Sequence, residues 1–199
     1  MVGIIDYGVG NLFSLRSSFA AIGVEAFVSG DAAELAKADR LILPGVGAFG
    51  DAAEKLRATG LDAFVREQAA AGKPLMGICL GMQLLFERSY EYGEHFGLGL
   101  LKGQVVGMSG RLPEGLKIPH MGWNALKLTK AAKLLEEGSY VYFVHSFYAE
   151  NCEDSLAAVT DYGLPITAAV EKDNIFGCQF HPEKSGNVGL AILKKFCEV

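Results

Sequence analysis

The first half of the chain alternates short apolar runs with stretches of helical periodicity. Val2–Ile5 forms an apolar run closed by Asp6. Leu12, Leu15, Phe19 and Ile22 then recur on one face of a helix that the pattern starts at an Asn11 cap and stops at Gly23. Residues 24–28 read as a second strand, Ser29-Gly30-Asp31 opens an Ala-rich helix, and residues 41–43 read as a third strand. The loop Pro44-Gly45-Val46-Gly47 leads into helical stretches reaching Ala71, and Gly72-Lys73-Pro74 breaks them. Leu75–Ile78 is a fourth apolar strand, with helical character predicted over residues 80–88. Uninterrupted apolar strands separated by helices call for a parallel sheet covered on both faces.

The second half changes character. Residues 104–106, 123–128, 140–144, 156–160, 166–170 and 175–180 are short β candidates. Little helix lies between them apart from residues 130–137, which suggests antiparallel additions to the sheet. Residues 188–196 close the chain as a helix with Val188, Ile192 and Phe196 on one stripe. The expected whole is an α/β fold of three layers, α/β/α, with a mostly parallel central sheet and ligands at the carboxyl ends of its strands. Glycine never clusters into a linker and no segment repeats, so one domain over residues 1–199 is expected.

Charge narrows the function. The 199 residues carry 18 Lys and Arg against 23 Asp and Glu, and the longest basic runs are pairs such as Lys194-Lys195. No stripe able to neutralise a phosphate backbone follows, so nucleic acid is not an expected partner. No stretch approaches the roughly 18 apolar residues of a membrane span, and the start MVGIIDYG lacks a basic leader. Four scattered cysteines do not make a disulfide framework, so a reduced, cytoplasmic setting is expected.

Each thiol is then judged alone. Gly77-Ile78-Cys79-Leu80-Gly81 sets a cysteine between strand and helix with a glycine two residues to either side, the pattern of a nucleophile elbow. A side chain on so sharp a turn needs neighbours without Cβ atoms, while the helix start and a nearby imidazole raise the thiolate fraction. His181 is the best base among the four histidines: Pro182 holds it extended, and Glu183, two residues on, shares its side and can orient the ring. An oxyanion would need the Leu80 N–H and a second donor from the Pro44-Gly45-Val46-Gly47 loop. Taken singly, each of these patterns also fits a buried core thiol, a surface His-Pro-Glu or an ordinary turn.

Together with Met82-Gln83-Leu84-Leu85-Phe86, His145-Ser146-Phe147-Tyr148 and Gln179-Phe180-His181-Pro182-Glu183-Lys184-Ser185, these motifs resemble the class I glutamine amidotransferases along the whole chain. The opening Ile4-Ile5-Asp6-Tyr7-Gly8-Val9-Gly10-Asn11 and Pro119-His120-Met121-Gly122-Trp123-Asn124 are similar to the branch formed by glutaminase subunits of imidazole glycerol phosphate synthase. The resemblance implies a flavodoxin-like amidotransferase fold and hydrolysis of glutamine to glutamate and ammonia. Cys79 would be the nucleophile, His181 the proton carrier and Glu183 its orienting acid. Val46, Gly47, Leu80, Gln83, His145, Ser146 and Phe147 match positions that hold the oxyanion and the glutamine. It also implies a heterodimer with a barrel-fold cyclase of histidine biosynthesis that consumes the ammonia, with Asn11, Trp123 and Lys184 as candidate contacts.

No cofactor or metal is expected. Phe13 replaces the third glycine of a dinucleotide loop begun by Gly8-Val9-Gly10, and Cys178 and His181 would point to opposite faces of a strand. Val46, β-branched, resists a positive φ, which bears on the shape of the oxyanion loop. The glutaminase of another class I amidotransferase, a stand-alone cysteine hydrolase and a non-catalytic binding protein on the same scaffold are the alternatives.

Overall fold

The computed structural model describes residues 1–199. Along the chain, β1 (Val2–Ile5), α1 (Leu12–Ala21), β2 (Ala26–Ser29), α2 (Ala32–Ala36) and β3 (Arg40–Leu43) are followed by α3 (Phe49–Ala58), α4 (Leu61–Ala70), β4 (Leu75–Ile78) and α5 (Leu80–Leu84). Then come β5 (Phe86–Ser89), β6 (His95–Phe96), β7 (Leu101–Gly107), β8 (His120–Ala125), β9 (Lys127–Leu128) and β10 (Tyr140–His145). The chain ends with β11 (Phe147–Glu150), β12 (Leu156–Asp161), β13 (Pro165–Lys172), β14 (Ile175–Cys178), a 3-10 turn Pro182–Lys184 and α6 (Gly186–Phe196).

The central sheet has eight strands in the order β2-β1-β3-β4-β14-β13-β12-β9. The first five run parallel, and β13, β12 and β9 continue it antiparallel. Every residue of β1, β4 and β14 is buried, because helices cover both faces. Leu15 and Phe19 of α1 pack with Ile192, Leu193 and Phe196 of α6 on one face. Leu35 of α2, Leu56 of α3 and Val65 of α4 lie on the other. The sheet therefore brings the carboxyl ends of β3, β4 and β14 side by side. No helix is long and apolar enough to cross a membrane.

Five expectations change. The second strand begins at Ala26 rather than 24, because the Val24 N–H caps α1 on Phe19 O while Gly23, at φ 73°, turns the chain. The helix expected over 80–88 stops at Leu84: Leu85 O accepts from Leu100 and Leu101, and Phe86 pairs with Leu101 as a strand. An all-buried Leu84-Leu85-Phe86 run fits either state by pattern alone. Residues 130–137 form bends and irregular backbone instead of a helix, and the Lys133 N–H goes to Glu171 Oε2 at 2.9 Å rather than to a carbonyl one turn back. Asn11 sits at the start of α1 but makes no side-chain cap bond. Finally, the antiparallel segments are shared out. β8 pairs with β10 as a separate ribbon, and β6-β5-β7-β11 form a four-stranded sheet.

Candidate active site

Glycine shapes the turn between β4 and α5. A Cβ on Gly81 would lie 1.9 Å from Leu43 O, and one on Gly77 would lie 2.6 Å from Gly81 O and from Met82 Cα. Only bare backbone lets α5 start this close to β3 and β4, and Gly45 is equally confined against Gly81 N at 2.7 Å. Between them Cys79 is held at φ 54°, ψ −111°, a region L side chains avoid. Its N–H donates to Cys178 O at 2.7 Å and its carbonyl accepts from Gln83 N–H, so the strained turn is anchored at both ends. The thiol is nearly buried and faces a cleft of about 430 Å³.

His181 arrives from the end of β14. Its N–H donates to Tyr142 O at 3.0 Å and its carbonyl accepts from Ser185 Oγ at 2.7 Å, which fixes the residue in an extended conformation before Pro182. The ring Nδ1 meets Glu183 Oε1 at 2.8 Å, both side chains being almost wholly buried. That leaves Nε2 for Cys79. Burial pulls the imidazolium down, but its hydrogen bonds to Cys79 and Glu183 and their negative charge outweigh this and raise its pKa from 6.5 to about 9. A ring so tuned is basic enough to accept the thiol proton as the sulfur attacks. Glu183 Oε2 is buried without a partner, so this carboxylate spends its bonding on the ring alone.

A second histidine is tuned the other way. Burial drives the pKa of His145 down to about 3, with the Phe147 carbonyl opposing, so it stays neutral. Its Nδ1 lies 2.9 Å from Phe147 O. The same carbonyl accepts from Gln83 Nε2 at 3.0 Å, and Gln83 Nε2 also donates to Gln179 Oε1 at 2.9 Å. Gln179 Nε2 reaches Cys79 Sγ at 3.6 Å. Gln83 is therefore a buried brace between the sulfur and the Phe147 strand.

Of the residues singled out from the sequence, Val46, Gly47, Cys79, Leu80, Gln83, His145, Ser146, Phe147, His181 and Lys184 all border the cleft, with Glu183 behind His181. The positive φ of the loop, 100°, falls on Gly47 and not on Val46, which removes the conflict posed by a β-branched residue. Leu80 is the first residue of α5, a position whose N–H has no intrahelical partner. Trp123 is 52% exposed and meets Tyr142 edge-on at 6.0 Å, and Lys184 Nζ lies 5.9 Å from the same ring, so these two flank one aromatic side chain, with Lys184 also lining the cleft. Asn11 is not in this group.

Sequence reasoning gave no role to Gln179 and Pro119, although both stand in its motifs, and missed Glu91, Tyr92 and Val144. Gln179 carried a usable signal: it precedes His181 by two in an extended chain, the spacing that linked His181 to Glu183. Glu91 carried none. It reaches the cleft through a turn after β5, where it accepts from Phe49 N–H at 2.6 Å, and burial lifts its carboxyl above the usual range. Tyr7, in the opening motif, has a structural part. Its hydroxyl donates to Pro44 O at 2.7 Å and pins the start of the glycine loop.

The family model described as "Glutamine amidotransferase class-I" matches residues 3–199. The imidazole glycerol phosphate synthase subunit HisH of Wolinella succinogenes is 52% identical over 204 residues, covering 100% of both chains. The protein of that name in Bacillus subtilis is 50% identical, covering 100% of this chain and 96% of its own. Among solved structures, a glutamine amidotransferase superposes with a TM-score of 0.78 at 21% identity, over 99% of this chain and 97% of that one. PurLQS from Thermotoga maritima gives 0.76 at 22% identity, over 99% and 97%. These distant structures share the fold.

Proposed function

The chain belongs to the class I glutamine amidotransferases, and on that premise we propose that it is the glutaminase subunit of an imidazole glycerol phosphate synthase, one domain over residues 1–199. The reading is carried by one observation: a buried imidazole, clamped on Nδ1 by Glu183, faces a thiol held at a strained strand-to-helix turn. His181 takes the proton from Cys79, and the sulfur attacks the carbon of the glutamine side-chain amide. The developing oxyanion sits against the Leu80 N–H and the Gly47 loop. The tetrahedral intermediate collapses to a thioester as the C–N bond breaks, with His181 protonating the leaving ammonia. Water, deprotonated by the same ring, then releases glutamate and restores the thiol.

Chemistry assigns the remaining cleft groups. The Glu91 carboxylate suits the α-ammonium of glutamine, and backbone groups at Ser146 and Phe147 hold its stem. Ammonia that escapes is protonated and lost, so the activity is useful only beside a consumer. A cyclase that makes imidazole glycerol phosphate and aminoimidazole carboxamide ribotide fits that need, and the printed name of the full-length relatives supports it. Met121 at 64% exposure and Trp123 at 52% make an apolar rim suited to such a docked partner. The site is proposed to work in the cytoplasm, without metal or cofactor. Reconstitution with a cyclase subunit is the test. Glutamine-dependent formation of imidazole glycerol phosphate is expected, and glutamine turnover that is already full without the cyclase would point to a stand-alone hydrolase instead.

A further inference from the structure

His120 is fully buried and lies outside the cleft, and nothing in the proposed reaction uses it. It sits across the ribbon from His145, its register partner in the β8–β10 pair. Its Nδ1 is 3.0 Å from His145 Nε2, and its Nε2 is 2.9 Å from Asn124 Oδ1. Asn124 Nδ2 in turn donates to Asp161 O at 3.2 Å. Phe143 and Tyr162 stack on the His120 ring at 4.9 and 4.0 Å, so the ring has no freedom to turn away.

The two rings make three contacts, to Phe147 O, to each other and to Asn124, yet two neutral imidazoles carry only two N–H hydrogens. One contact goes without a hydrogen; if it is the central one, two bare ring nitrogens face each other at 3.0 Å in a stacked, buried pair where neither can turn away. If both hydrogens point outward, His145 Nδ1 and Phe147 O face each other as two acceptors at 2.9 Å, beside the sulfur network. If both point inward, the mismatch falls at Asn124, a half-buried amide that can turn its NH2 toward His120 or bond water. Turning the Asn124 amide gives up only its solvent-exposed 3.2 Å bond to Asp161 O, a place open to water, whereas the Phe147 carbonyl is fixed by β11 and by Gln83. The inward arrangement is the cheaper one.

We propose that His120 is a positioning residue for glutamine hydrolysis. Its Nδ1–H, donated to His145 Nε2, fixes the His145 tautomer whose own Nδ1–H ties down the Phe147 carbonyl. That carbonyl is where Gln83 and, through Gln179, the Cys79 sulfur are braced. The inference rests on the glutaminase reading for its kinetic consequence and on hydrogen counting for its chemistry.

Asn places an amide NH2 close to the position of a histidine Nδ1, whereas Gln places it nearer Nε2. His120→Asn is therefore expected to keep the glutamine KM within about twofold, and His120→Gln to raise KM about tenfold with kcat little changed, the worth of one hydrogen bond. A role in filling space alone would favour the bulkier Gln. Nitrogen-15 NMR of the histidine side chains in the wild-type chain reads the tautomer without any variant or turnover: His145 and His120 should both be protonated at Nδ1. A wild-type His145 or His120 protonated at Nε2, or a His120→Gln variant with the KM of His120→Asn, overturns the proposal. Absence of glutamine turnover in the wild type would instead sink the glutaminase reading, while the tautomer still judges the pairing.

Discussion

Replacing Glu183 by Gln tests how the histidine is tuned. The wild-type carboxylate accepts from His181 Nδ1 through Oε1 and leaves Oε2 buried and unpartnered. A glutamine amide must put its NH2 in one of those two places. In the Oε2 position it is a buried donor without an acceptor, while against the ring it forces the hydrogen onto Nε2, which then cannot take the thiol proton. The loss in kcat should fall between about tenfold, for the charge alone, and about 10⁴-fold, for the wrong tautomer. Stability should follow pH in a definite sense. The rise of the His181 pKa from 6.5 to about 9 converts to about 3 kcal/mol, shared between Cys79 and Glu183. Removing the carboxylate forfeits at most that amount, which caps the fall in Tm at about 10 °C for a chain of this length. Because the folded value is raised, this stabilisation is fully present below pH 6.5 and fades as pH rises through 9. Thermal melts of both proteins at about pH 6 and about pH 9.5 should therefore show a gap that closes at the higher pH. A gap that is constant, or that widens with pH, would refute the assignment of Glu183 as the partner that stabilises the imidazolium.

Gly81→Ala puts a Cβ 1.9 Å from Leu43 O, so β3 and α5 must separate; a melt should show about 3 kcal/mol lost or no folded protein. Glu91→Gln should raise the glutamine KM about 10- to 100-fold with kcat largely kept, because it removes a charge-assisted bond to the α-ammonium; steady-state kinetics decides. Trp123→Ala should leave the stability of the isolated chain within about 0.5 kcal/mol, since the ring is half exposed, yet weaken cyclase binding by about 2 kcal/mol, measured by calorimetry.

The parts of the fold legible in the sequence were those whose burial leaves a local mark. β1, β3, β4 and β14 lie under helices on both faces, which demands uninterrupted apolar runs, and the two glycines flanking Cys79 mark its sharp turn in the local sequence although Gly81 meets Leu43 O from far along the chain. The ribbon β8–β10 and the four-stranded sheet were not legible as separate layers, because their pairing is set by partners far along the chain. The helix ends where the Leu85 carbonyl accepts from residues 100 and 101, and Phe86 becomes strand by pairing with Leu101. The same distinction runs through the site. Cys79, His181 and Glu183 could be named from spacing, whereas His120 gains its meaning only from His145, twenty-five residues away and directly opposite it. Asn11 was legible as a helix start, but its side chain does not cap.

Treatment of the chain with 6-diazo-5-oxo-L-norleucine, an alkylating analogue of glutamine, followed by peptide mass spectrometry, probes the sulfur directly. One adduct is predicted, on Cys79, with Cys152, Cys178 and Cys197 untouched, protected by excess glutamine and absent from a Cys79→Ala variant that hydrolyses no glutamine. Labelling spread over the other thiols, or glutamine hydrolysis that survives in Cys79→Ala, would contradict the account.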